Sequence, residues 1–242
     1  MAFNKINTSF PIYLLLLLLS GINLYGQNSD SIYDWFDQKT GKENLAINNG
    51  KLLLNYDRVI NNNDRFYFSQ YAIGTVVYDT QTYNNVVLNY DLYNDDLILK
   101  PNGEADKNPI ILVKNKVQSF SIDKKNYVNL NYSQTKTSDV INGYYEEGFI
   151  GNQINFYIKH AKTRTERINS DGPYDDFTEK TYFILNYKNE YYKVSSKKSI
   201  ITIFPEYKKL INEFYSTNDY MIKLDKSRFL ANLFTLLNTN IQ

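Results

Sequence analysis

Between Lys51 and Ser195 the apolar residues recur in short runs with the two-residue period of strands, and each run is closed by asparagine, aspartate or lysine. A chain patterned this way buries one face of each segment and reverses direction often, which selects antiparallel β-structure over βαβ units. The expected strands are Lys51 to Tyr56, Arg65 to Tyr71, Gly74 to Tyr78, Tyr83 to Tyr93, Leu97 to Leu99, Ile110 to Val113, Val117 to Ile122 and Tyr127 to Tyr132. Asn94-Asp95-Asp96 marks the clearest tight turn. Gly143 to Gly148 leads into a long strand, Gln153 to Ile168, whose polar end runs into solvent. Asn169 to Asp176 is the densest turn cluster and is expected to be the longest exposed loop. Thr181 to Tyr187 and Tyr191 to Ser195, split by Lys188-Asn189-Glu190, form a second hairpin.

Helical spacing begins only after Ser199. Ile200, Ile201, Ile203 and Phe204 form an apolar turn, and Pro205 opens a helix lined by Tyr207, Leu210, Ile211 and Phe214 that stops near Ser216. A last helix from Lys226 to Leu237 has Asp225 as N-cap and Phe229, Leu230, Leu233, Phe234 and Leu237 on its buried face. Both need an apolar partner, and the sheet supplies it. The expected fold is α+β, a mostly antiparallel curved sheet or open barrel with helices over about residues 199–238 packed on it.

The N-terminus carries a different signal. Lys5 and the α-amino group precede an apolar run from Ile12 to Leu19, about half the twenty or so residues that cross a bilayer. Ser20 and Gly21 then break it, and Gly26 is the small residue expected before a cut. Residues 1–26 therefore read as a signal peptide and 27–242 as one β-rich domain, with no transmembrane segment in the mature chain. Export would place it in the periplasm, at the outer-membrane periphery or outside the cell. In the Gln27 to Gly50 segment, Ile32, Trp35 and Phe36 are anchors, Trp35 reading as a buried plug.

Composition excludes several classes. The chain contains 0 cysteines, so neither disulfides nor a lipid-bearing cysteine is available. It has 27 Lys plus Arg against 26 Asp plus Glu, and loss of Lys5 with the leader balances them, which removes the basic footprint that nucleic acid demands. Lys124-Lys125 and Lys197-Lys198 read as solvated turns, too short for a polybasic membrane patch. The 23 tyrosines and 14 phenylalanines fit strands before they fit sugar-stacking platforms.

Catalytic chemistry finds few candidates. One histidine, His160 in Lys159-His160-Ala161, excludes two-histidine metal sites and sits away from any Gly-x-Ser-x-Gly elbow. Three carboxylate doublets remain, Asp95-Asp96, Glu146-Glu147 and Asp175-Asp176, but neighbours on a strand point to opposite faces, so none is a catalytic pair by itself. Asp171 with Asp175 and Asp176 lacks the ordered spacing of an EF-hand and reads as a solvated loop. No catalytic, cofactor or metal residue is assigned.

Gly74-Thr75-Val76-Val77-Tyr78, Tyr83-Asn84-Asn85-Val86 and the run Leu88 to Leu97 resemble a segment of uncharacterised exported proteins of Gram-negative bacteria. The likeness extends to Leu112 through Phe120. Tyr182 to Phe204 with Lys208 and Lys209 is similar to their tail, where a strand pair with a basic turn leads into helices. The resemblance covers about two thirds of the mature chain and implies a β-rich protein of the periplasm or outer membrane face, with no catalytic residues to carry over. The expected role is a non-enzymatic binding or accessory module at the cell envelope, with an envelope protein or a glycan as partner and the strands Tyr83 to Tyr93 and Tyr182 to Tyr192 as its surface. The alternatives are a two-carboxylate hydrolase acting on carbohydrate, and a carrier sheltering an apolar ligand beneath the helices.

Overall fold

The computed structural model describes residues 45–101, 108–132 and 141–241. The expected signal peptide and the Trp35 anchor lie outside the described residues. Eleven strands form one sheet: β1 (Lys51–Leu52), β2 (Ala72–Tyr78), β3 (Gln81–Asp91), β4 (Asp96–Lys100), β5 (Ile110–Ile111), β6 (Val117–Ile122), β7 (Lys125–Asn129), β8 (Tyr144–Ile150), β9 (Ile154–Asn169), β10 (Gly172–Tyr187) and β11 (Glu190–Lys193). Their spatial order is β1-β5-β4-β3-β2-β6-β7-β8-β9-β10-β11, every pairing is antiparallel, and the sheet stays open with β1 and β11 as its edges.

The punctuation residues turn the strands as their chemistry dictates. Asp79-Thr80, Asp123-Lys124 and Lys188-Asn189 each join two strands with both residues at φ between 49° and 69°. This is the left-handed geometry whose twist matches that of the flanking strands. In the β3–β4 turn the Asp91 carboxylate accepts the Tyr93 and Asn94 amides at 2.9 and 3.0 Å, and Asp95 takes φ 59°.

Three of the expected segments differ in the structure, each for an identifiable reason. Asn169 to Asp176 is not a long loop, because β9 and β10 pair without a break from Ile154↔Tyr187 to Asn169↔Gly172. The cross-strand pairs Arg164–Asp175 and Arg167–Asp176, both 2.6 Å, make strand residues of the acidic cluster. Arg65 to Tyr71 forms only an isolated bridge, Phe66↔Asp91. There the Asn89 side chain takes the hydrogen bonds of the Phe68 backbone, and Arg65 is held between Asp57 and Asp91. The Lys51 to Tyr56 strand contracts to β1, since β5 offers only two partner residues.

Four helices follow β11: α1 (Lys197–Ile203), α2 (Lys208–Thr217), α3 (Asp219–Leu224) and α4 (Lys226–Asn240). Ser196 and Ser199 form a capping box on α1, and the Asp225 carboxylate accepts the Arg228 amide at 2.9 Å to start α4. The expected face of α4, Phe229, Leu230, Leu233, Phe234 and Leu237, is buried against Ile154, Phe156 and Ile158 of β9 and Phe183 and Leu185 of β10. Pro205 opens a 3-10 turn that leads into α2, and α3 was not expected.

A second core lies against β2, β3, β4, β6 and β7, with Tyr90 at the centre of an edge-to-face cluster of Phe120, Tyr127 and Tyr144. In the sheet order β3 and β9 stand five strand spacings apart, about 24 Å if the sheet were flat. Yet the Lys162 amide of β9 donates to the Leu92 carbonyl just past β3 at 3.0 Å. The sheet therefore bends back far enough to bring the β3–β4 turn against β8 and β9.

Candidate functional site

The bend assembles two polar clusters, one on each face of β9. The register pairs Tyr127 with Glu146 and Glu146 with Ile158, so Glu146 and His160 share a face. The His160 Nε2 lies 2.6 Å from Glu146 Oε2, Lys125 Nζ donates to the same oxygen at 3.0 Å and to the Tyr67 hydroxyl at 2.8 Å, and the Tyr67 and His160 rings pack at 4.9 Å. His160 is thus not on a solvated strand end but buried, and Lys125 is a strand residue rather than part of a free turn. Burial raises the Glu146 carboxyl, but the hydrogen bonds from His160 and Lys125 outweigh it, and the group ends below the ordinary glutamate value. Its neighbour Glu147 turns to the other face, where burial alone raises it.

On that other face Lys159 is the centre. Its ammonium donates to Asp95 Oδ1 at 2.5 Å and to the Asn142 and Tyr144 carbonyls at 3.1 and 3.0 Å, which uses all three protons. Tyr90 donates its hydroxyl to the same Asp95 oxygen, and Lys114 approaches both Asp95 and Asp96. Burial lowers Lys159 below the usual lysine value against the opposing pull of Asp95. This cluster closes the bend, and its groups are spent on one another.

The three carboxylate doublets are therefore located, and five of their six carboxylates meet a cation, while Glu147 meets none among the described residues. Asp95 and Asp96 meet lysines, Glu146 meets Lys125 and His160, and Asp175 and Asp176 meet separate arginines. Asp171 uses its carbonyl to accept from Arg58 and does not join Asp175 and Asp176 in a cage. Among the described residues no group of three or more His, Cys, Asp or Glu is placed to hold a metal ion. No helix among them is long and apolar enough to cross a membrane. Of the tyrosine strands named as a surface, β3 is corrected: Tyr83 and Tyr90 belong to the core, because β3 is central in the sheet. Tyr182 of β10 is half exposed.

Tyr182 borders a groove of about 490 Å³. It forms because β11 ends at Lys193, opposite Ile184, while β10 continues. The Val194 amide still donates to the Phe183 carbonyl at 2.9 Å, so alternation along β10 aims the Thr181 N–H and C=O at the same uncovered edge. Its lining wraps round that edge: Tyr145 beneath Lys159, Tyr182 and the nearly buried Ile184 belong to one face of the sheet, and Phe183 and Val194, also nearly buried, to the other. Lys193 at the end of β11 and Lys226 at the start of α4 flank it, the Lys226 ammonium lying 5.2 Å from the centre of the Phe183 ring. Neither has a carboxylate partner among the described residues. Sequence reading missed this site because an edge lysine and a helix-start lysine carry no motif; only the ending of β11 and the docking of α4 bring them together. Comparison with protein-family models, curated proteins and solved structures found no match.

Proposed function

We propose that this chain is an exported, non-enzymatic binding module of the bacterial cell envelope, and that the groove beside the end of β11 is its recognition site. The groove carries the reading: it joins apolar side chains, two ammonium groups with no carboxylate partner among the described residues and an uncovered strand edge, the mix of apolar surface and a few polar groups that ligand sites use. The leucine run before Gly26 supports export, and the likeness to envelope proteins supports the location. The half-closed sheet is read as an open barrel, with the groove on its outer edge rather than under the helices, where Phe156, Phe204, Phe229 and Phe234 fill the space. Five of the six doublet carboxylates are tied to a cation, which supports binding over two-carboxylate hydrolysis.

The test is site-specific photo-crosslinking in cells, with the probe at Tyr182 and, as control, at the more exposed Ile73 on β2. The protein should be recovered from the envelope fraction without residues 1–26, and a discrete adduct should form at 182, not at 73, and vanish when Thr181→Trp fills the groove. Adducts at both positions or at neither, or retention of the leader in the cytoplasm, would defeat the reading.

A further inference from the structure

We propose that the ligand of this groove is an extended segment of another protein, seated as an added strand on the open edge of β10; this rests on the groove being the recognition site. The register shows which groups await it. Lys162 of β9 pairs with Glu179, yet its amide turns away from β10 to the Leu92 carbonyl, so the backbone groups of Lys162 and Glu179 both point outward from the pair. Odd-numbered residues of β10 therefore aim their N–H and C=O away from β9. This edge is met at both ends: the Asp175 amide donates to the Arg58 carbonyl at 2.7 Å, and the Phe183 carbonyl accepts from the Val194 amide at 2.9 Å. Between them the N–H and C=O of Glu179 and Thr181 have no partner among the described residues, and Thr178 to Tyr182 are exposed without a break. The opening has a local cause. Past Val194 the Ser195 and Ser196 amides donate to Ser199 Oγ at 3.2 and 3.1 Å, so the cap of α1 draws the chain off β10 where the next residues would cover Thr181.

The gap from Asp175 to Phe183 has room for a guest of about five residues, the usual length of a strand. Running antiparallel to β10, as β11 does, the guest exchanges main-chain hydrogen bonds with Glu179 and Thr181. Its alternate side chains go to the two faces of the sheet, which is how the lining is divided, with Tyr182 and Ile184 on one face and Phe183 and Val194 on the other. Side chains select the guest. Lys180 has no ion pair among the described residues, and the half-exposed Glu179 comes no nearer than 4.0 Å to His160 Nδ1. Charges of this kind keep an edge from pairing indiscriminately, so the guest must answer them with an acid opposite Lys180 and a base opposite Glu179. A second copy of this chain does not. Antiparallel self-pairing centred on Glu179 sets glutamate against glutamate, and centred on Lys180 it sets lysine against lysine. Centred on Thr178, it asks for the Asp175 amide that the Arg58 carbonyl already holds.

Fluorescence anisotropy of the purified protein with labelled peptides tests this. The peptide core Val-Thr-Glu-Lys-Thr places its valine opposite Tyr182, its glutamate opposite Lys180 and its lysine opposite Glu179. N-methylation of the peptide residues opposite Thr181 and Glu179, whose amides face β10, should weaken binding by about tenfold or more. The same change opposite Lys180 and Thr178, where the amides face solvent, should leave binding unchanged. Exchanging glutamate and lysine in the peptide should cost about fivefold, and Lys180→Glu should erase that difference. Thr181→Pro, which removes an outward N–H that an edge strand can spare, should abolish binding with circular dichroism unchanged. The methylation pattern carries the test on the unaltered protein. Equal weakening by both patterns would overturn strand pairing and leave the groove as a binding site. Binding that survives Thr181→Pro would also overturn it, as would no binding by any peptide, with the crosslink at 182 then deciding the groove alone. An adduct at 182 of twice the chain's mass would seat a second copy on the edge and overturn the choice of partner.

Discussion

The Asp95 cluster makes the sharpest energetic prediction, because one carboxylate joins parts of the sheet that are five strands apart. Asp95→Asn keeps the side-chain shape and tolerates φ 59°, so it isolates the charge. In the wild type this carboxylate accepts from Lys159 and Tyr90 and faces Lys114; Lys159 and Asp95 expose only 14% and 18% of their side chains. Removing one partner of a fully buried pair costs about 3–5 kcal/mol. The residual exposure and the two carbonyls still bound to Lys159 reduce this to about 2–3 kcal/mol, or about 5–10 °C in midpoint for a domain of this size. Urea unfolding of the wild type, Asp95→Asn, Lys159→Met and the double variant measures it, and the cycle should return a coupling above about 1 kcal/mol. A single-variant loss below about 0.5 kcal/mol, or additivity of the two changes, would refute the claim that this pair holds the bend.

The neighbours Glu146 and Glu147 should respond to acid with opposite sign. Glu146 is lowered in the folded state, so its stabilisation is complete above its unfolded value near 4.5 and fades as pH falls through the lower folded value. The stability gap between wild type and Glu146→Gln should therefore close in acid. Glu147 is raised, so Glu147→Gln should stabilise at neutral pH and lose that advantage as pH falls from the raised folded value to 4.5, below which none remains; chemical unfolding from pH 3.5 to 7 with parallel curves for the two variants would contradict both shifts. Gly74→Ala should cost about 1–3 kcal/mol, because a Cβ there meets the Ser121 carbonyl of the paired strand, and thermal melting unchanged from wild type would contradict that contact. Leu233→Ala, fully buried between α4 and the sheet, should cost about 2–5 kcal/mol by urea unfolding, and a loss under 1 kcal/mol would show that α4 is not docked.

Much of the fold was legible because its signals are local. Val117 to Ile122 is β6 to the residue, the Asn94-Asp95-Asp96 turn returns the chain as read, and Asp225 caps the last helix. Side-chain alternation, turn conformers and caps are decided within a few residues, so the sequence displays them. The same locality misled where a distant partner decided. Asn169 to Asp176 has the composition of a loop, yet arginines on β9 bind its acids and draw it into a strand. Lys125 and His160 looked solvated because their common partner, Glu146, is remote from Lys125 in sequence and becomes its neighbour only through β7–β8 pairing.

By itself, then, the amino-acid order determined the strand-and-turn alternation, the absence of thiol chemistry, the poverty in histidine and a switch to helices near Ser199, although α1 begins at Lys197 and takes in the Lys197-Lys198 pair that reads as a turn. Tertiary structure alone decided that the sheet bends until Asp95 reaches Lys159, that the tyrosines of β3 are core while Tyr182 is surface, and that Lys193 and Lys226 flank one groove. The physical reason is that periodicity and capping are properties of neighbours along the chain, whereas a charge is spent or left free according to which remote residue the fold places within hydrogen-bonding distance.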